Sequence, residues 1–150
     1  MLPEDDVRET PPVLFATLNA RFAYDLDVCA TTANAKCPRF FSESDDGLAQ
    51  TWAGARAWCN PPFSAIPAWV AKAWRECAGT ECITLLVPAT RTEQPWWQRL
   101  IEPWRDGRGE LVAGVRLTSE FLPRRPRFLK DGVPLGSPKF GCVLLHWSKK

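Results

Sequence analysis

The chain has no run approaching the roughly 18 consecutive apolar residues of a membrane-spanning helix, so embedding in a bilayer is not expected. Histidine is almost absent. His146 is the only one, and it stands in the apolar run Gly141-Cys142-Val143-Leu144-Leu145-His146-Trp147, without the partners that a metal site or a catalytic triad requires. The six cysteines, at 29, 37, 59, 77, 82 and 142, include no Cys-x-x-Cys pair, so no metal is expected and reduced thiols are. A secretory leader would be basic and then apolar. The amino-terminal stretch MLPEDDVRET is acidic instead, which predicts a cytoplasmic location.

What is present fits one domain: 150 residues, 45% hydrophobic and 24% charged. The net charge of +2 is unevenly spread, with −5 over residues 1–50, +1 over 51–110 and +6 over 111–150. Such polarity suits a cationic ligand at one end and a polyanion at the other, and it is equally what a solvated surface carries.

Residues 1–9 read as a flexible acidic lead ahead of a domain over 10–150. Thr10-Pro11-Pro12 reads as a helix opening with Thr10 as the cap, followed by Leu14, Phe15, Leu18 and Phe22 at helical spacing. Tyr24 to Ala30 alternates as a strand ending near Cys29. The polar segment 31–56 holds one strand-like patch, Arg39-Phe40-Phe41, and a turn signal, Asp45-Asp46-Gly47. Its length marks it as a functional loop. Ala57-Trp58-Cys59 is a short strand stopped by two prolines. Trp69, Val70, Ala73, Trp74 and Cys77 form the apolar stripe of a helix that Gly79 can close. Cys82 to Val87, bounded by Pro88, reads as a strand buried on both faces, which favours a parallel sheet. A short helix over 94–102 and strands over 111–117 and 142–147 complete an α/β pattern with right-handed crossovers.

The sharpest chemical feature is Asn60-Pro61-Pro62-Phe63 directly after a strand, because ligands in open α/β sheets bind beyond the carboxyl ends of strands. An exocyclic amino group is a poor nucleophile, since its lone pair is delocalised. An enzyme that uses it must hold it with acceptors that favour a more tetrahedral nitrogen. The Asn60 side-chain oxygen and the Pro61 carbonyl can do this, two successive prolines fix the backbone that presents them, and Phe63 can stack on a flipped base. A plain strand-ending turn with Phe63 in the core is the competing reading. A nucleophilic-cysteine route is not expected, because Cys59 precedes the motif as a strand residue.

An ordered series surrounds the motif. Thr10-Pro11, Leu14-Phe15, Leu18-Asn19, Phe22, Leu26-Asp27-Val28, Ala30, Asn34-Ala35, Asp45-Asp46-Gly47-Leu48, Trp52 and Trp58 through Ser64 together resemble the phage-encoded DNA N6-adenine methyltransferases of the Dam type. The resemblance runs over about residues 8–90. It continues more weakly through Leu85 to Ala89, Val112 to Phe121 and Pro138 to Trp147. It implies a Rossmann-like methyltransferase sheet, S-adenosylmethionine as methyl donor, and adenine N6 in DNA as acceptor. A phage source would suggest protection of phage DNA from restriction.

Carried over by position, Asn60, Pro61, Pro62 and Phe63 match the catalytic loop, and Asp27, Val28 and Ala30 match the end of the first strand beside the donor. Asp45 or Asp46 matches the acidic position near the donor's adenosine, with turn chemistry as the alternative, and Thr10 and Pro11 match the segment at its methionine end. Two departures stand out. Ala30-Thr31-Thr32-Ala33-Asn34 replaces a glycine-rich loop, and the 33 residues from Asp27 to Asn60 are too few for two strands with their helices, so the sheet is expected to be abbreviated.

For DNA, Arg124, Arg125, Arg127 and Lys130, with Arg116 and Lys139, form a cationic set able to meet phosphates, extendable by Arg91, Arg105 and Arg108. Among the eight tryptophans, Trp69 and Trp74 belong to the core, whereas Trp96 and Trp97 are the candidates for exposed base stacking. The whole reads as a single-domain adenine methyltransferase without metal. A methyltransferase of protein glutamine or RNA guanine, and a decayed scaffold that binds nucleic acid, are the alternatives.

Overall fold

The computed structural model describes residues 8–136 and 138–150. Most of the expected lead therefore lies outside the described residues. Of it, Arg8 and Glu9 are seen, and Glu9 is bridged to Leu129. The first helix, α1, spans Pro12–Phe22 and starts on prolines whose fixed φ suits a first turn. Thr10 does not cap it. The N-cap is Pro11, without a side-chain cap, and the Thr10 hydroxyl is engaged elsewhere. The helix stops where Ala23 turns left-handed at φ 50, with its N–H donating to the Asn19 carbonyl.

Five strands make the main sheet: β1 (Leu26–Asp27), β2 (Arg56–Cys59), β3 (Cys82–Pro88), β4 (Val115–Phe121) and β7 (Cys142–Lys149), in the order β1-β2-β3-β7-β4. Helix α2 (Ile66–Glu76) joins β2 to β3, and α3 (Pro95–Leu100) follows β3. The α/β expectation holds. The three parallel strands β1, β2 and β3 form its Rossmann-like part, and the sheet is short, as the spacing from Asp27 to Asn60 suggests. An all-parallel sheet is not what forms, because β7 runs antiparallel to both β3 and β4. Among the described residues no helix lies between β4 and β7, so the crossover that a parallel pair needs is not seen there.

Two boundaries also move. The strand expected over 24–30 keeps only Leu26–Asp27, and the strand expected over 111–117 begins at Val115, after Gly114 turns at φ 79. A separate ribbon, β5 (Leu129–Lys130) with β6 (Val133–Pro134), folds from the basic proline-rich segment. Its tight turn uses left-handed Asp131 and Gly132. No helix of the described residues is long and apolar enough to cross a membrane.

Strand alternation assigns side chains to two layers. His146 and its neighbour Trp147 point to opposite faces: Phe22 of α1 stacks on His146 at 4.6 Å, and Trp74 of α2 meets Trp147 edge-on at 5.6 Å. Trp58 of β2 lies on the α1 side against Phe15, and β3, in the middle, is buried along its whole length. Trp96 and Trp97 are buried too, against the expectation of exposure, with Trp97 Nε1 donating to Glu102 at 2.7 Å.

A polar chain crosses this apolar layer. The Glu120 carboxylate can only accept, so the His146 Nε2–H donates to it at 3.1 Å and Nδ1 is left to accept from Thr84 at 2.9 Å. The Tyr24 hydroxyl then donates to Thr84 Oγ1 at 2.6 Å. Burial holds the imidazole below its ordinary pKa, in keeping with a neutral ring. Thr84→Val is expected to leave the Tyr24 hydroxyl and His146 Nδ1 buried without partners. Urea unfolding should record a loss of about 1–3 kcal/mol, whereas an unchanged midpoint would mean that the chain contributes nothing.

Candidate active site at the strand ends

β1 and β2 run parallel in the register Leu26 to Ala57 and Asp27 to Trp58, so their carboxyl ends stop side by side. On the other side of β1 the chain lays down 39–41, with Asp27 bridged to Phe40. The chain that leaves β1 is thus laid first along one side of it, at 39–41, and then along the other, as β2, and such a reversal of order is where a crevice for ligands opens in these sheets. A cavity of about 260 Å³ occupies the crevice, near the low end for small-molecule sites. Its wall joins the exit of β1 (Val28 to Thr31), the 42–48 loop, Arg8 to Thr10, and Asn60.

Asp27 builds much of this wall. The side chain is only 3% exposed, and its two oxygens accept the N–H groups of Cys29 at 3.2 Å and Lys36 at 3.0 Å, tying both ends of the 29–36 loop to β1. Burial pushes its carboxyl up to about 7 despite these bonds. Gly47 builds the facing wall. A Cβ there would stand 2.1 Å from the Val28 carbonyl oxygen and 3.1 Å from the Trp69 ring, so only glycine lets the loop approach β1 this closely. The Trp52 indole N–H fastens the loop by donating to the Gly47 carbonyl at 3.0 Å.

The two neighbouring aspartates divide. Asp46, left-handed at φ 56, lines the cavity. Asp45 does not. Its carboxylate accepts the Ser42 N–H at 2.8 Å and hydroxyl at 2.9 Å, which hold its pKa below the usual carboxylate range, so it is the turn residue. Thr10, Asp27, Val28 and Ala30 line the cavity, and Pro11 does not.

Asn60 follows β2 directly. Its Nδ2 donates to the Arg8 carbonyl and, at 3.1 Å, to Thr10 Oγ1. A backbone carbonyl can only accept, so this contact fixes which way the amide is turned and leaves Oδ1 as the atom free to accept. Asn60 and Pro62 line the cavity, whereas Pro61 and Phe63 are buried beside it. Phe63 packs edge-on against Phe140 at 5.6 Å and Phe128 at 6.1 Å, and the Arg8 guanidinium lies over its ring at 4.7 Å. Cys59 is fully enclosed, and burial pushes its thiol well above the ordinary value, which removes the thiolate a covalent route would need.

Five of the six cations assigned to DNA gather around the β5–β6 ribbon. Arg125 donates to the Lys139 carbonyl at 3.3 Å and Arg127 to that of Gly136 at 3.5 Å, with Arg124 exposed beside them and Lys130 on β5. Arg116 is not among them. It pairs with Ser148, which pairs with Cys82 at the start of β3, so it sits at the opposite end of the sheet from Asn60. The three proposed extensions also separate: Arg91 donates to the Phe63 carbonyl at 2.8 Å, while Arg105 and Arg108 are paired with Asp106, and Arg105 also with Glu102.

Several lining residues gave no signal in the sequence reading. Arg8 and Glu9 fell in the expected lead, and Lys36 and Glu43 in a polar loop. Gly47 was visible as part of a turn and of the series that carries the resemblance, but not as a lining residue.

Three likenesses to known proteins are found. The profile of the family described as DNA N-6-adenine-methyltransferase (Dam) matches residues 2–105. A DNA N-6-adenine-methyltransferase of Escherichia phage T1 is 34% identical over 86 residues, a match that covers 56% of this chain and 36% of the phage protein. The chain thus spans little more than a third of the length of that curated relative. Among solved structures, the 23S rRNA methyltransferase ErmE aligns over 95% of this chain and 50% of its own, at 12% identity and a TM-score of 0.44.

The Asp27 carboxyl is expected to titrate near 7 rather than near 4, as read by carboxyl-carbon NMR. Because the folded protein holds this proton more tightly than the unfolded chain, its contribution to stability is full below about 4. It is lost as pH rises through about 7. Relative to Asp27→Asn, the wild type should therefore lose stability between those limits and change no further above them. A flat difference would contradict the assignment.

Proposed function

Because the chain belongs to the DNA N-6-adenine-methyltransferase (Dam) family, we propose that it transfers a methyl group from S-adenosylmethionine to N6 of an adenine flipped out of DNA. The observation that carries this reading is the Asn60 amide. Its nitrogen is committed to Arg8 and Thr10, so its oxygen is the group turned to accept an amino hydrogen beside the cavity.

The residues around the cavity fit the donor. Asp46 and Glu43 supply oxygens for ribose hydroxyls, Val28, Leu48 and Trp69 supply apolar walls for an adenine, and the carboxylates of Glu9, Glu43 and Asp46 suit a sulfonium. When bound, the donor supplies an electrophilic methyl group. The protein's part is placement. Asn60 Oδ1 and the Pro61 carbonyl hold the amino nitrogen, and the two prolines keep that pair rigid; such positioning contributes several kcal/mol to transfer chemistry. A base that stacks on Phe63 takes the place now held by the Arg8 guanidinium. The cations around β5–β6 meet the phosphates, which gives salt-dependent affinity with little sequence preference.

The test is transfer of labelled methyl from S-adenosylmethionine to unmethylated duplex DNA, with nucleoside mass analysis. N6-methyladenine is expected, falling roughly 100-fold or more in Asn60→Ala. Folded, donor-binding protein that leaves DNA unmodified would instead assign the acceptor to protein or RNA.

A further inference from the structure

Residues 8–10 run extended between the catalytic loop and the ribbon, and they serve the two sides alternately. The Arg8 carbonyl and the Thr10 hydroxyl both accept from Asn60 Nδ2. Glu9, between them, turns to the ribbon: its N–H donates to the Leu129 carbonyl at 2.8 Å, its carbonyl accepts the Leu129 N–H at 3.1 Å, and its carboxylate accepts the Gly132 N–H at 3.2 Å. This is the period of two expected of extended backbone. Neither Arg8 nor Thr10 can shift along the chain without dragging the residue that holds β5 and the turn of the ribbon.

We propose that Glu9 is a positioning residue that couples the basic β5–β6 ribbon to the Asn60 amide, so that DNA bound on the ribbon is set in register with the group that holds the base. A second contact runs the same way, since Phe128, next to Leu129, packs edge-on against Phe63 of the catalytic loop. This strap makes the phosphate-binding element and the base-holding element one body. The proposal rests on the methyl-transfer reading for its catalytic consequence but not for the coupling itself.

Two measurements test it on the full chain. In the first, the Asn60 side-chain amide is followed by NMR while wild-type protein is titrated with a duplex of guanine and cytosine only, which offers no adenine to the base site. The Asn60 amide signals are expected to move together with those of Leu129 and Gly132, and Glu9→Ala, which frees Gly132 but keeps the backbone pair to Leu129, should reduce the movement at Asn60. Ribbon signals that move while Asn60 stays still would overturn the coupling, even if Glu9→Ala fails to fold. Absence of any shift would remove DNA as the ribbon's ligand, and the proposal with it.

In the second, kinetics on adenine-containing duplex should give Glu9→Ala a kcat lowered about tenfold or more, in line with the rate cost of a misplaced reacting group. The smaller change should be in KM, and Glu9→Gln, which keeps an acceptor for Gly132, should be restored toward wild type. An effect confined to KM, or no rescue by glutamine, would mean that Glu9 only anchors the ribbon. Wild-type protein that transfers no methyl to DNA would defeat the functional reading, and the titration would still decide the strap.

Discussion

Two parallel strands that end at the same level place every group of the site. The pairing of Leu26 with Ala57 and Asp27 with Trp58 brings the exit of β1 and the exit of β2 together, so the loop after β1 and the Asn-Pro-Pro-Phe loop emerge as neighbours. A slip of one residue would reverse the faces that these side chains occupy, turning Trp58 away from Phe15 and Tyr24. The core therefore enforces the register from which the crevice follows, and both neighbours of β1, β2 and the 39–41 segment, are held against it by backbone bonds.

Within that frame, the site is made by satisfying buried polar groups rather than by a flexible glycine-rich loop. Asp27 spends both carboxylate oxygens on the loop that follows β1, and Gly47 brings the facing loop to within contact of the Val28 carbonyl. Asn60 spends its amide hydrogens on Arg8 and Thr10. Each bond removes one orientation that the group could otherwise adopt, which is what preorganisation consists of in a site that works by placement. The departure from the glycine-rich pattern at Ala30 to Asn34 is thus met by one glycine located elsewhere, at the point of closest approach.

How much of this could be read beforehand depends on whether the signal was local. The Asn-Pro-Pro-Phe loop was legible because two prolines end a strand wherever they occur, and β3 because an unbroken apolar run cannot be half-exposed. Asp27 was legible only by resemblance, as the end of the first strand. Thr10 misled, since Thr before two prolines has the form of a helix cap, yet its hydroxyl goes to a residue 50 positions away. The same limit explains Arg8 and Glu9, whose partners Asn60 and Leu129 are distant in sequence, and the burial of Trp97, whose ring meets Phe121. The ribbon was hidden by proline and charge, and Arg116 was grouped by proximity along the chain although strand pairing carries it to the far end of the sheet.

In the function we propose, the cavity beside Asn60 is the donor site, in reach of the amide that holds the acceptor. A crystal structure of the protein grown with S-adenosylhomocysteine, the demethylated donor, tests it most directly. Density for that molecule is expected between the exit of β1, the Gly47 loop and Asn60, with its sulfur on the Asn60 side. Binding anywhere else, or a crevice closed by the chain's own side chains in a protein that still binds the molecule, would contradict it.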